Sequence, residues 1–241
     1  MAIQTKGFCK YCGKECTKSG MLRHFSACKE RKARLEEKSK TGKKQQGYFQ
    51  LLISGKYRKE YWLIIEANEN VTLKELDNFI RKIWVECCEH LSAFEINGVQ
   101  YESYPNPDRF WGPPVKNMNY RLRDVVRTGD IINYEYDFGS TTELELKVHD
   151  YRIGRDTKDQ ITILSRNNPI RFVCDQCGKN EAKWVDPDGF YDGMPFWCDE
   201  CWDEERMDDD YCLLISNSPR MGVCGYEGST AYPEQFEPDK K

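Results

Sequence analysis

The sequence predicts an α+β chain: a mainly antiparallel sheet crossed by one principal helix, with a small cysteine-rich module at either end. Three observations predict it. Strand-like segments with turn chemistry between them recur from Tyr48 to Val148, and one long helical stripe sits among them. The clearest pair, Ile131 to Val148, alternates every two residues on both sides of a short turn. Outside that region, seven cysteines and a histidine fall into two regularly spaced sets of four.

At 241 residues, 39% hydrophobic and 32% charged, the chain has room for one good-sized domain and two small modules. No apolar run approaches the ~20 residues that span a bilayer. The N-terminus, MAIQTKGFCKYC, lacks an apolar core of signal-peptide length, so a cytoplasmic location is expected. In that compartment twelve cysteines are thiols and metal ligands rather than a disulfide framework. The net charge of −4 conceals an asymmetry: residues 1–47 hold 13 Lys and Arg against four Glu, a balance of +9, which leaves −13 for the rest. A basic head on an acidic body expects an anionic partner at the head only.

The first module spans residues 1–28. Its pattern is Cys9-x2-Cys12-x11-His24-x3-Cys28. The first two cysteines form a knuckle, and His24 and Cys28, four apart, share one face of a helix, which completes a tetrahedron suited to zinc. The pattern resembles the ββα zinc finger with Cys in place of the last His. Cys16 and Met21 occupy the positions of core residues in that family, so Cys16 is read as a small hydrophobe. Residues 29–46 read as a basic linker: the finger helix is expected to run on to about Lys38, with no apolar face to dock it. Arg23, Lys29, Arg31, Lys32 and Arg34 on this stretch are the expected phosphate contacts.

Residues 47–165 are the expected core. Tyr48–Ser54 and Glu60–Glu66 read as strands. Thr72 and Glu75 form a capping box with Val71 and Leu76 as its hydrophobic staple. Leu73, Leu76, Ile80, Ile83, Cys87 and Leu91 then follow at helical spacing, which predicts a helix over about 73–90. On such a helix Cys87, Cys88 and His90 point apart, so no metal site is expected there. Ala93–Tyr101 is a hairpin around Asn97-Gly98, a pair that supplies the positive φ of a two-residue turn. A long loop, 102–120, carries Pro105, Pro107, Pro113 and Pro114 with Tyr104, Phe110 and Trp111, and reads as an aromatic lid or as packing over the helix. Leu122–Val126 is a short helical turn. In the final hairpin Ile132, Tyr134, Tyr136 and Phe138 share one face, and Leu144, Leu146 and Val148 continue it after a turn at Gly139-Ser140. The order strand, strand, helix, hairpin, hairpin is that of a β-grasp-like sheet with one helix across it.

The stretch YEYDFGSTTELEL resembles the hallmark of the Ri-plasmid ORF-three-like family, whose members are also labelled TnpR-type insertion-sequence passenger proteins. The likeness covers about residues 47–165 and implies a link to mobile elements. Tyr136, Asp137, Phe138 and Gly139 match the family motif, whereas Ser140, Thr142 and Leu144 stand where the family has Asp, Trp and His. A polar site on those three positions would be missing here.

Residues 166–229 hold the second module, Cys174-x2-Cys177-x20-Cys198-x2-Cys201, the spacing of a zinc ribbon. Four thiolates leave no open position for water, so its zinc is expected to be structural. Asp199–Asp210 holds eight Asp and Glu and reads as a solvated acidic helix. Cys212 and Cys224 have no histidine near them in sequence, so two zinc ions per chain are expected and no third. Residues 230–241 are expected to fray.

No P-loop, nucleophile–histidine pair or open metal site is visible, so no catalytic residue and no small-molecule substrate are expected. The expectation is a non-enzymatic zinc protein that meets DNA or RNA through residues 1–46. The alternative is a protein–protein adaptor with structural zinc modules.

Overall fold

The fold was analysed in a computed structural model that describes residues 3–41, 44–105, 115–155, 159–205 and 212–239. Two compact units divide the chain. One comprises Met1–Ile80, His90–Asn168 and Phe236–Lys241, the other Arg81–Glu89 and Pro169–Gln235.

The first unit opens with a hairpin, β1 (Lys6–Phe8) and β2 (Glu15–Thr17), followed by α1 (Lys18–Ala27) and α2 (Lys29–Thr41). Thr17 caps α1 by accepting from the Gly20 N–H at 3.3 Å. Cys28, in extended backbone, breaks the helix in two. Then come β3 (Gln45–Gly55), β4 (Trp62–Asn68), α3 (Leu73–Ile80), β5 (Ser92–Ile96), β6 (Val99–Glu102), β7 (Val115–Asn117), α4 (Leu122–Val125), β8 (Ile131–Tyr136), β9 (Thr142–Arg155) and β10 (Ile161–Arg166). The eight strands β3 to β10 build one sheet in the order β10-β4-β3-β9-β8-β5-β6-β7. Every pair is antiparallel except β6–β7.

The central hairpin sits inside this sheet, because β9 pairs with β8 on one side and along the length of β3 on the other. Ile132, Tyr134, Tyr136, Leu144, Leu146 and Val148 are fully buried, as their alternation requires. Phe138 departs from the expected face. The strand stops at Tyr136, Asp137 turns the chain at φ 65°, and Phe138 is half exposed. Asp137 itself is buried and accepts from the Gly139 and Ser140 N–H groups, so it builds the turn.

The capping box forms: the Thr72 N–H donates to Glu75 at 2.7 Å, and the Glu75 N–H donates to Thr72 Oγ1 at 3.2 Å. The helix is shorter than its apolar spacing predicts. After Ile80 it widens into a π-helical turn, Arg81–Val85, and ends. Glu86 accounts for the stop: its carboxylate takes the Arg81 guanidinium and the Glu89 N–H, and Glu89 adopts φ 58°. Asp77 fastens α3 to the sheet by accepting from Ser92 Oγ at 2.7 Å and Tyr134 Oη at 2.8 Å.

Strand β4 is buried at all seven positions, on both faces. Trp62 and Ile64, with Leu164 of β10, share a cluster with Cys9, Met21, Phe25 and Cys28. One face of this edge of the sheet is therefore covered by the first 28 residues. Backbone bonds close the seam, Lys10 N–H to Leu164 O at 2.9 Å and Asn168 N–H to Lys6 O at 2.7 Å.

The second unit is small. Strands β11 (Trp184–Val185), β12 (Phe196–Trp197) and β13 (Leu213–Leu214) form a sheet in the order β12-β11-β13, with short helices α5 (Gly189–Asp192) and α6 (Asp199–Glu205). Val185, Leu213 and Met221 are its buried cluster. The π-helical turn is tied into it: Ser218 Oγ donates to Trp84 O at 2.5 Å and Ser229 Oγ to Lys82 O at 2.6 Å. The expected frayed end is held over much of its length. Asn217 Nδ2 donates to Glu234 O at 3.1 Å, and Lys10 Nζ meets Asp239 at 2.7 Å. Most of the Pro and aromatic loop (106–114) and the end of the acidic stretch (206–210) lie outside the described residues.

Candidate metal centres

The hairpin β1–β2 places Cys9 and Cys12 on a knuckle in which the Gly13 N–H donates to Cys9 O at 2.9 Å, with Gly13 at φ 71°. Helix α1 delivers His24, and Cys28 sits where the helix ends. The four ligand atoms lie within 4.8 Å of one another. Cys12 Sγ and His24 Nε2 are 3.2 Å apart. Burial holds the His24 pKa down and keeps the ring in the neutral form a metal needs. Burial also pushes the Cys9 thiol up to about 12. A divalent cation would supply the countercharge that this buried sulfur lacks.

The second quartet repeats the arrangement on different elements. The Gly178 N–H donates to Cys174 O at 2.9 Å with Gly178 at φ 63°, and Cys198 and Cys201 flank the start of α6. Cys174, Cys177, Cys198 and Cys201 also bring their sulfurs within 4.8 Å. Backbone N–H groups of Asn180 and Lys179 lower the Cys177 thiol to about 6, while burial raises Cys201. Four thiolates at tetrahedral spacing suit a structural zinc.

A third group corrects the expectation that two sets complete the inventory. Cys87, Cys88 and Cys224, all in the second unit, bring their sulfurs within the same 4.8 Å. Helical geometry would have splayed them, but the helix ends at Val85 and the chain bends at Cys87 and Cys88. Three Cys/His groups are thus placed for metal binding. Cys16 packs against the finger core, and Cys212 Sγ donates to Val185 O at 3.6 Å. The signal that could have found Cys224 is a repeated dipeptide. Cys12-Gly13, Cys177-Gly178 and Cys224-Gly225 all place glycine at φ between 63° and 71°. That left-handed turn swings the chain under a metal-bound sulfur.

Of the expected phosphate contacts, Arg23, Lys29, Lys32 and Arg34 are exposed on α1 and α2. Arg31 is not. Its Nη2 meets Glu66 Oε1 at 3.1 Å, its Nη1 donates to Phe25 O at 3.3 Å, and Arg152 Nε reaches the same carboxylate at 2.8 Å. This clamp docks α2 by charge, although residues 29–46 offer no apolar face that would dock a linker. Arg31 is spent on Glu66 and removed from the surface.

A family model described as plasmid pRiA4b ORF-3-like protein matches residues 49–210. Among solved structures, the chain is similar to a crystal structure of a protein of unknown function from Methanosarcina mazei Go1. The identity is 17%, covering 57% of this chain and 70% of that one, with a TM-score of 0.40. No curated protein matches it.

Proposed function

The chain belongs to the plasmid pRiA4b ORF-3-like family, and from that premise we propose that it is a non-enzymatic zinc-binding protein that associates with nucleic acid through residues 1–46. The observation that carries this reading is the division of labour among the basic residues of α1 and α2. Arg31 locks α2 onto Glu66, and Arg23, Lys29, Lys32 and Arg34 stay exposed on the segment that lock holds in place. Four cations fixed on neighbouring helices can follow a phosphate backbone, whereas the acidic remainder of the chain would be repelled by it. Zinc in Cys9, Cys12, His24 and Cys28, and in Cys174, Cys177, Cys198 and Cys201, fits a structural role, since each set offers four protein ligands, as many as a tetrahedral zinc takes. No catalytic role is assigned. A cytoplasmic setting, with its reduced thiols, suits such sites, and among the described residues no helix is long and apolar enough to cross a membrane. The family's plasmid origin supports a place alongside mobile elements. The β-grasp likeness of the core belongs to the same proposal and rests on its strand, strand, helix order.

Filter binding of the full chain to duplex DNA and to single-stranded RNA, over a range of salt, tests the proposal. Affinity should fall steeply with salt. Replacing Arg23, Lys29, Lys32 and Arg34 by Gln should flatten the slope on duplex by about 0.9 per lost contact. Binding that is absent, or unchanged in that variant, would set the nucleic-acid reading aside in favour of a protein–protein adaptor.

A further inference from the structure

We infer that Cys87, Cys88 and Cys224 form a third zinc site, more accessible than the other two and exchangeable. The inference goes beyond the two structural zincs proposed above and rests on geometry of its own. The three sulfurs already lie within 4.8 Å of one another, and a tetrahedral zinc with bonds of ~2.3 Å to sulfur sets thiolates ~3.8 Å apart, so binding needs only small side-chain rotations and leaves one position open. The backbone is preset for it. Cys224 at φ 50° and Gly225 at φ 66° form a left-handed turn of two residues, and the bend at Cys87–Cys88 lets neighbouring thiols face one way.

Arg220 is fully buried, and its Nη2 donates to Cys87 Sγ at 3.4 Å, which places a fixed positive charge against the sulfur. Three sulfurs are a donor set for zinc rather than for a hard cation.

Accessibility separates this site from the other two. Each quartet keeps two of its cysteines buried, Cys9 and Cys28 in one, Cys174 and Cys198 in the other. In the third group no ligand is buried, and Cys88 is exposed. Bound metal would join the segment 81–89 to the turn around Cys224, more than a hundred residues away in sequence, within one unit. Its loss would loosen that junction and leave both quartets intact.

The test is zinc content of the full chain under reducing conditions, followed by transfer of zinc to a chromogenic chelator. Three zinc ions per chain are expected, one of them leaving in a distinct fast phase. Cys88→Ser and Cys224→Ser should each bind two and lose that phase, with the slower two equivalents unchanged. Cys88 is exposed, so its serine variant keeps the fold and guards against a trivial loss through misfolding. Two zinc ions in the unaltered chain, with no change in either variant, would overturn the third site and leave the quartets standing. Retention of the fast phase in both variants would overturn it equally. Fewer than two zinc ions would count against the quartets themselves.

Discussion

The N-terminal and C-terminal quartets use nearly the same chemistry in opposite settings. Each hangs on a CxxC knuckle followed by a left-handed glycine, at φ 71° in one and 63° in the other. The N-terminal one shares its hydrophobic cluster with the sheet, because Met21 and Phe25 pack on Trp62, Ile64 and Leu164. Its hairpin meets the end of β10 so closely that a Cβ on Gly7 would lie 2.0 Å from Arg166 O. The C-terminal one rests on a three-stranded sheet of two-residue strands, beside a buried cluster of Val185, Leu213 and Met221. The lesson is that a metal's contribution depends on what else holds the surrounding chain. Where a large core supplies burial, metal adds local order. Where the core is this small, metal must supply most of the folding free energy.

That contrast can be broken at the metal. Cys177→Ser should cost the most, since a structural zinc contributes on the order of 10 kcal/mol to a module that cannot fold without it. Loss of ordered chain should be confined to the second unit, visible as collapse of the Trp184 and Trp197 near-ultraviolet signals. If the region around the ribbon kept its native dichroism in that variant, the small cluster would be stronger than its size suggests.

The contrast can also be sharpened at the seam of the first unit. Glu66 is buried and serves both Arg31 and Arg152. Glu66→Gln would leave two guanidiniums without a countercharge, and breaking such a pair costs about 3–5 kcal/mol. Denaturant unfolding of the first unit's signal should report that loss, along with greater protease sensitivity in α2. A loss confined to a few tenths of a kcal/mol would mean that α2 is held by something other than this clamp.

Much of this was legible in the sequence. Alternation placed the central hairpin, Asn97-Gly98 placed the turn between β5 and β6 at φ 50° and 76°, and Thr72 with Glu75 placed the start of α3. Cysteine spacing drew together the residues of both quartets. What escaped depended on tertiary context. Leu63, Ile64 and Ile65 run apolar without alternating, the mark of a strand covered on both faces, yet nothing local says that the finger is the cover. Arg31 looks like its neighbours until Glu66, 35 residues on, is placed beside it. The helical stripe of α3 runs past Val85 in sequence, but Glu86 and its partners stop the helix there. Once that stop is missed, Cys87 and Cys88 look divergent, and Cys224 is too distant to be connected to them.

Hydrogen–deuterium exchange of the full chain, zinc-loaded and then chelated under reducing conditions, tests the central claim most directly: metal orders both quartets, and one of them is continuous with the sheet. Chelation should strip protection from residues 172–201 and from β1, β2 and α1. It should also raise exchange in β4 and β10, whose Trp62, Ile64 and Leu164 share the finger's cluster, while β3, β8 and β9 stay protected. A chain whose exchange does not change on chelation, or whose finger loosens without any response in β4 and β10, would contradict the account.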